Sequence, residues 1–300
     1  MVALIAGPTA SGKTALALHL AKSGNFVIIN ADSAQVYSDL PILSAQPTAD
    51  EQCCAPHHLF GYIDGVTPCS AAKWATDAKR IIADAHATGA IPLLVGGSGL
   101  YIRTLLDGIA PIPEVDPILR AEIRAMPVAQ AYAALQTYDP AIAASLAPTD
   151  VSRITRALEV VKSTGRSISA WRATKTGGIS ADICLRPLLL LPPRDWLYDR
   201  CDKRFEWMME QGAIDEVEAL LARNLPQDAP VMRAIGVPEI SAYLKGTMSR
   251  AEAVTRGQIA TRQYAKRQFT WFRNRAPTDW PCETAIVNDS NIGNFEIIFQ

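Results

Sequence analysis

The 300-residue sequence has almost no net charge: 29 Lys and Arg stand against 30 Asp and Glu, giving −1 at pH 7. A chain without a global field has no bulk attraction for polyanions, so any nucleic-acid or polyphosphate site must be a local patch. Cysteine is sparse and unpatterned. The six residues, at 53, 54, 69, 184, 201 and 282, include no CxxC pair, which argues against a disulfide or zinc scaffold and for a reduced, cytoplasmic chain. Cys53, Cys54, His57 and His58 cluster on paper, but adjacent like residues in a Pro-containing loop chelate a metal poorly. No apolar run reaches the ~20 residues that span a bilayer. The sequence opens directly on MVALIAG without a charged leader, so no membrane partner is expected. Internal repeats and low-complexity tracts are also missing.

Short runs rich in Val, Ile and Leu are present instead: VALIA, FVIIN, IPLLVGG and, much later, PLLLLPP. Helical stretches such as TALALHLAKSG and SAAKWATDAKRIIADAHATG lie between them, the second ending on Gly89. Continuous apolar strands alternating with helices predict an α/β fold, a parallel sheet covered on both faces. Between LLDGIAPIPEVDP and ICLRPLLLLPP the pattern becomes amphipathic helix with no convincing strand. The expected organisation is therefore a core domain of residues 1–115 and 183–300 interrupted by an all-helical insertion domain of residues 116–182. From Arg194 the chain is again helical, and with no free amphipathic stripe left over a monomer is expected.

GPTASGKT, residues 7–14, matches G-x-x-x-x-G-K-[ST] with a strand before it and a helix after it. In such a P-loop the backbone amides of Gly7, Pro8, Thr9, Ala10, Ser11 and Gly12, proline's excepted, can close around a diphosphate. Lys13 adds a point charge, and Thr14 can ligate Mg²⁺ at the helix N-terminus. Most phosphate-loop proteins hold the metal with an Asp at the end of a second apolar strand. Here the third strand ends on VGGSG, whereas the second ends on NADSAQVY and carries Asp32. Asp32 is then a displaced metal ligand, a base facing the bound diphosphate, or a cap for the following turn.

Two further groups of cations stand out. RGQIATRQYAKRQFTWFRNR, residues 256–275, holds six basic side chains and no acidic one, including Arg262, Lys266 and Arg267. That is the local patch the neutral chain requires. Its aromatics, Tyr264, Phe269, Trp271 and Phe272, are either core-facing or base-stacking. Arg200 and Arg204 stand four apart on one helix, either as a second diphosphate cation with Lys13 or as a solvated face. The residues alone leave three functions open: a group transfer from a diphosphate, a small-molecule kinase consuming ATP, and a nucleotide-gated RNA-binding module without chemistry.

Seven pieces in order, GPTASGKT, DSAQVY, PHHL, LLVGGSGLYIRTLL, TDVSRITRALEVVKSTG, RFEWMMEQGAIDEVEALL and TRQYAKRQFTWFR, span residues 5 to about 273. Together they resemble the tRNA dimethylallyltransferase (tRNA isopentenyltransferase) family. The resemblance implies transfer of a dimethylallyl group from dimethylallyl diphosphate to N6 of the adenosine 3′ of a tRNA anticodon, with Mg²⁺ as cofactor and the anticodon arm as partner. The loop then holds a leaving diphosphate, and the missing acidic strand end is no anomaly. In this reading Asp32 is the base, with Thr9 near the bridging oxygen and Lys13 on the diphosphate. Asp32, Ser33, Ala34 and Gln35, with Ser98 opposite, line the pocket for a flipped adenine; Ser98 could equally cap the next helix. The resemblance also assigns Arg120 and the run Ser152, Arg153, Ile154, Thr155 and Arg156 to the tRNA, the alternative being a plain helix bundle. The sequence departs from the family pattern at SDLPILSAQP, at IGVPE (residues 235–239) and at GGSG, which keeps a hydroxyl at Ser98.

Overall fold

The computed structural model describes residues 1–299. Its strands are β1 Val2–Ala6, β2 Phe26–Asn30, β3 His57–His58, β4 Ile91–Gly96, β5 Gly108–Ile109, β6 Thr176–Gly177, β7 Leu185–Leu190 and β8 Cys282–Glu283. The helices of its first part are α1 Lys13–Ser23, α2 Ala49–Gln52, α3 Ala71–Ala87 and α4 Gly99–Asp107. Five follow in the middle: α5 Pro117–Ala125, α6 Val128–Tyr138, α7 Pro140–Ala144, α8 Val151–Thr164 and α9 Ile168–Arg172. The last are α10 Arg194–Glu210, α11 Ala213–Ala222, α12 Val237–Leu244 and α13 Arg250–Arg275. The chain divides into two compact units, Met1–Leu105 with Ser180–Gln300, and Leu106–Ile179.

In the larger unit six parallel strands run in the order β3-β2-β4-β1-β7-β8. Every residue of β1 and β2 is buried, which is why both read as unbroken apolar runs. Leu16 and Leu20 of α1 pack on Ile5, Ile28, Leu93 and Leu188, each such side chain stabilising by ~1.5–3 kcal/mol. Open parallel sheets bind ligands beyond the carboxyl ends of their strands. Here those ends carry the phosphate loop after β1, Asp32 after β2 and Gly97–Ser98 after β4.

A second core joins α10, α11 and α12 through Phe205, Met208, Val217, Val237 and Ile240, and the segment SDLPILSAQP enters it through Leu40. The turn in that segment is held by Glu216, whose carboxylate accepts the amides of Ile42 at 2.7 Å and Leu43 at 2.9 Å.

The smaller unit is built on aspartate-capped helices: Asp116, Asp139 and Asp150 accept the amides of Ile118, Ile142 and Arg153. Its core includes Ile123, Leu135, Ile154, Leu158 and Ile168. The unit is not wholly helical. β5 pairs antiparallel with β6, Gly108 opposite Gly177 and Ile109 opposite Thr176, a ladder of two residues a side and too short to leave an apolar run. Two late pieces also escape periodicity, β8 and the 3-10 run Ile292–Phe299, whose Phe295 and Phe299 close the core beneath α1. Among the described residues no helix is long and apolar enough to cross a membrane.

Candidate active site

One cavity of about 730 Å³ opens at the carboxyl end of the sheet. Its lining includes residues 9–14 of the phosphate loop, residues 32–35, Arg204 and Arg267, and the apolar side chains of Leu40, Leu43, Phe205, Met208 and Ile235. Five cationic side chains, Lys13, Arg200, Arg204, Arg233 and Arg267, face it against two carboxylates, Asp32 and Glu51. The positive patch that a neutral chain needs for a polyanion is therefore local.

The loop turns through Ala10, a non-glycine residue at φ +65°, a conformation L-residues adopt at a cost. Lys13 is buried and donates from Nζ to the Pro8 carbonyl at 2.6 Å. Burial lowers its pKa to about 8, opposed by the Asp32 carboxylate, with the Arg204 charge adding to the fall. Arg204 reaches the loop from α10, its Nη2 donating to Thr9 Oγ1 at 2.5 Å. Burial again lowers its pKa. Ser11 Oγ and Arg204 Nε are buried with no hydrogen-bond partner among the described residues, on two residues that line the cavity. Arg200 is different: its guanidinium lies 4.8 Å from the Trp196 ring. Of the two arginines four apart, only Arg204 bonds to the loop.

Asp32 is 7% exposed. Asn30, fully buried, braces its backbone from both sides, Oδ1 accepting the Asp32 amide at 2.7 Å and Nδ2 donating to the Asp32 carbonyl at 3.0 Å. The Asp32 side chain accepts three hydrogen bonds. Oδ1 takes the Ala34 amide at 3.0 Å and the Tyr264 phenol at 3.1 Å, and Oδ2 takes the Gln268 amide at 3.3 Å. A carboxylate offers about four acceptor positions, so one remains. This is an oriented carboxylate with room for one more donor. It is also more than a turn cap, although the Ala34 bond is that cap.

The two strand tips are joined by Gln268. Its Oε1 accepts the Thr9 amide at 2.7 Å while its Nε2 donates to Asp32. The glycines of VGGSG make space for this. A Cβ on Gly96 would stand 2.1 Å from the Ala31 carbonyl carbon, and one on Gly97 2.1 Å from Gln268 Nε2. No side chain fits at that strand end, acidic or otherwise. Ser98 Oγ accepts the Ser33 amide at 2.7 Å and donates to Ser33 Oγ at 2.9 Å, so it ties the β4 and β2 tips instead of capping α4. Gln35 is folded inward, donating to the Ser44 and Ala45 carbonyls.

The α13 aromatics divide. Phe272 is core, Phe269 packs with the Ala10, Leu197 and Cys201 cluster, and Trp271 lies against Gly99. Tyr264 alone reaches the site. Of the basic residues, Lys266 and Arg267 are exposed, and Arg262, 33% exposed, is ion-paired to Asp202.

In the smaller unit Ser152 and Arg153 are exposed and Arg120 is half-buried with Nε unpartnered. Arg156 shares the buried Glu159 with Arg124, at 3.4 Å and 3.0 Å. Two positions are corrected. Ile154 is 0% exposed in the unit's core, and Thr155 is buried with its hydroxyl donating to the Val151 carbonyl. Neither side chain is available to an RNA, because a continuous run on a helix turns half its members inward. Asn30 and Gln268 are absent from the sequence expectations, and Tyr264 enters them only as a core-facing or base-stacking aromatic.

Thr14 stands exposed on the first turn of α1 and lines the cavity. One hydroxyl beside a polyphosphate cradle suits Mg²⁺, which takes oxygen ligands and binds through few protein groups plus substrate phosphates. Among the described residues no group of three or more His, Cys, Asp or Glu could hold a metal ion.

A family model described as IPP transferase matches residues 35–275, and one described as isopentenyl transferase matches residues 1–55. The tRNA dimethylallyltransferase of Sphingopyxis alaskensis is 60% identical over 297 residues, 99% of this chain and 97% of the relative. That of Zymomonas mobilis is 51% identical over 99% of this chain and 95% of its own length. The full-length tRNA isopentenylpyrophosphate transferase of Bacillus halodurans superposes with a TM-score of 0.69 at 34% identity, covering 99% of this chain and 95% of that one. A eukaryotic dimethylallyltransferase acting on tRNA gives 0.78 at 29% identity, covering 90% and 69%.

Proposed function

The chain belongs to the tRNA dimethylallyltransferase (IPP transferase) family, and from that premise we propose how its cavity performs the transfer. The reaction moves a dimethylallyl group from dimethylallyl diphosphate to N6 of the adenosine 3′ of the anticodon and releases diphosphate. The N6 lone pair is delocalised into the purine, so the amine is a weak nucleophile until its proton is drawn off. Asp32 Oδ2, with its one open acceptor position, takes that proton. N6 bonds to C1 of the dimethylallyl group as the C1–O bond breaks, and the bonding pair leaves with the diphosphate.

Negative charge gathers on the leaving group, and donors fixed in advance stabilise it more in the transition state than in the substrate. The loop amides, Lys13, Thr9 and Arg204 supply them. Thr14 would hold Mg²⁺ together with diphosphate oxygens, and the ion when bound neutralises part of that charge. The apolar side chains of the lining take the five-carbon chain. The adenine must leave its stack to arrive, at a cost of a few kcal/mol that is least in a loop. Residues 32–35 with Ser98 form its pocket. Arg262, Lys266 and Arg267, and in the helical unit Arg120, Ser152, Arg153 and Arg156, are the proposed contacts to the anticodon arm. A monomer in the cytoplasm, where the tRNA is, completes the reading.

The observation that carries it is the placement of the diphosphate cradle and Asp32 on one cavity, linked through a single side chain. The test is to incubate the protein with dimethylallyl diphosphate, Mg²⁺ and unmodified tRNA bearing adenosine after the anticodon, then weigh the digested nucleosides. Adenosine gains one C5 unit, and ATP is neither required nor consumed. Asp32→Ala lowers turnover about 10²–10⁴-fold with diphosphate binding largely kept. Collapse of binding with turnover preserved at saturation would make Asp32 a ligand-holding group instead.

A further inference from the structure

Gln268 is 6% exposed and its amide has one neighbour on each side: the Thr9 amide on the phosphate loop and the Asp32 carboxylate. Those neighbours are chemically opposite. Thr9 offers only an N–H and Asp32, when ionised, only acceptors. Oε1 must therefore face Thr9 and Nε2 must face Asp32, so the amide has a single workable orientation. Gly97 leaves the space it occupies. Lys13, the nearest charge on the loop, donates to the Pro8 carbonyl and does not make this link.

We propose that Gln268 is a positioning residue that sets the separation and orientation of the proton-accepting carboxylate relative to the diphosphate cradle. The inference rests on the reading of Asp32 as the base. Gln268 fills one acceptor position of Oδ2 and leaves the other open, on a residue that lines the cavity. Because the same amide holds Thr9, the carboxylate is referenced to the loop that carries the leaving group. The reacting amine needs both: its proton must meet Oδ2 while its nitrogen meets C1, and an error of about 1 Å between the two costs about 10²-fold in rate. Glutamate is the sharpest substitute because it keeps the shape and loses the donor. It also puts a second carboxylate beside Asp32, and two such groups sharing a site hold one proton between them. The other groups facing Asp32 are Lys13 from α1, Arg204 from α10 and Tyr264 from α13.

The test compares Gln268→Glu, Gln268→Met and Asp32→Asn in the full chain, with kcat and KM over pH, dimethylallyl diphosphate affinity by calorimetry and melting temperature. Gln268→Glu lowers kcat about 10²-fold and moves the acidic limb of the kcat profile to higher pH, with diphosphate affinity weakened less than tenfold. Gln268→Met, which removes both bonds without adding charge, lowers kcat about tenfold and moves the limb less than Gln268→Glu does. Wild-type kcat in both variants, or a loss confined to KM and melting temperature, overturns the proposal. Should Gln268→Glu fold poorly, Gln268→Met decides: a tenfold loss of kcat at unchanged KM supports the assignment, and full kcat removes it. Asp32→Asn separates the two levels. If it is inactive while the Gln268 variants are normal, only the positioning role fails; if it is fully active, the base assignment fails first.

Discussion

Tyr264 donates its phenolic proton to Asp32 Oδ1 at 3.1 Å, a bond between residues 232 positions apart in the chain. Burial first, and the adjacent carboxylate second, push the phenol's pKa well above its ordinary value, so it remains a donor at any working pH. A hydrogen bond to a charged group is worth ~1.5–3 kcal/mol, and about 1.4 kcal/mol is a factor of ten in rate. Tyr264→Phe is therefore expected to lower kcat about tenfold or somewhat more, with KM for dimethylallyl diphosphate unchanged. Steady-state kinetics check it; a rise in KM at constant kcat would place Tyr264 on the substrate and not on Asp32.

Arg204 and Arg200 share a helix and a charge but not an environment. Arg204 bonds Thr9 and buries its Nε without a partner, whereas Arg200 lies on the Trp196 ring. Replacing Arg204 by alanine removes a desolvated donor from the site of charge development, where one such donor is worth about 10²–10³ in kcat. Arg204→Ala is expected to lose turnover in that range and Arg200→Ala less than about fivefold, since an exposed cation–π contact contributes ~0.5–1 kcal/mol. Parallel kcat measurements on the two variants decide.

Lys13 gives a pH prediction with a definite sign. Burial holds its pKa down to about 8, so in the free protein the ammonium is present below pH 8 and lost above it. A bound diphosphate restores the charged form. Affinity for dimethylallyl diphosphate should therefore weaken as pH rises through 8, by up to tenfold per unit, with binding taking up a proton at pH 8.5–9. Calorimetry in two buffers of different ionisation enthalpy measures that uptake directly. Binding without proton uptake at pH 9 would show that the lysine is already charged.

The local parts of this site are legible in sequence because each is a contiguous motif with its own flanking elements. The phosphate loop needs only a strand, glycines and a helix, and Asp32 only the end of FVIIN. Gln268 and Tyr264 were not legible as site residues, since their partners lie 232 to 259 positions away. A signal existed nonetheless. Both are polar residues one turn apart in RQYAKRQF, on the side of α13 that also buries Ala265 and Phe272, where polar groups need partners. Periodicity also sorts the insertion more finely than a motif does: SRITR reads as one block, yet a 3.6-residue repeat turns Ile154 inward and Arg153 outward.

That separation can be measured. Ile154 is fully buried with Leu158 and Leu135, while Arg153 is exposed and pairs with Asp150, the N-cap of its own helix, at 3.5 Å. Ile154→Ala removes core volume and should cost ~2–5 kcal/mol of stability, seen as a lower denaturation midpoint, with RNA affinity of the folded fraction retained. Arg153→Ala should leave the midpoint alone, because an exposed i,i+3 ion pair is worth at most ~0.5 kcal/mol. If Arg153 meets a phosphate, its loss weakens tRNA binding and reduces the slope of log affinity against log salt by about 0.7–0.9. An unchanged salt slope in Arg153→Ala would take this helix out of the RNA interface and leave the phosphate contacts to α13.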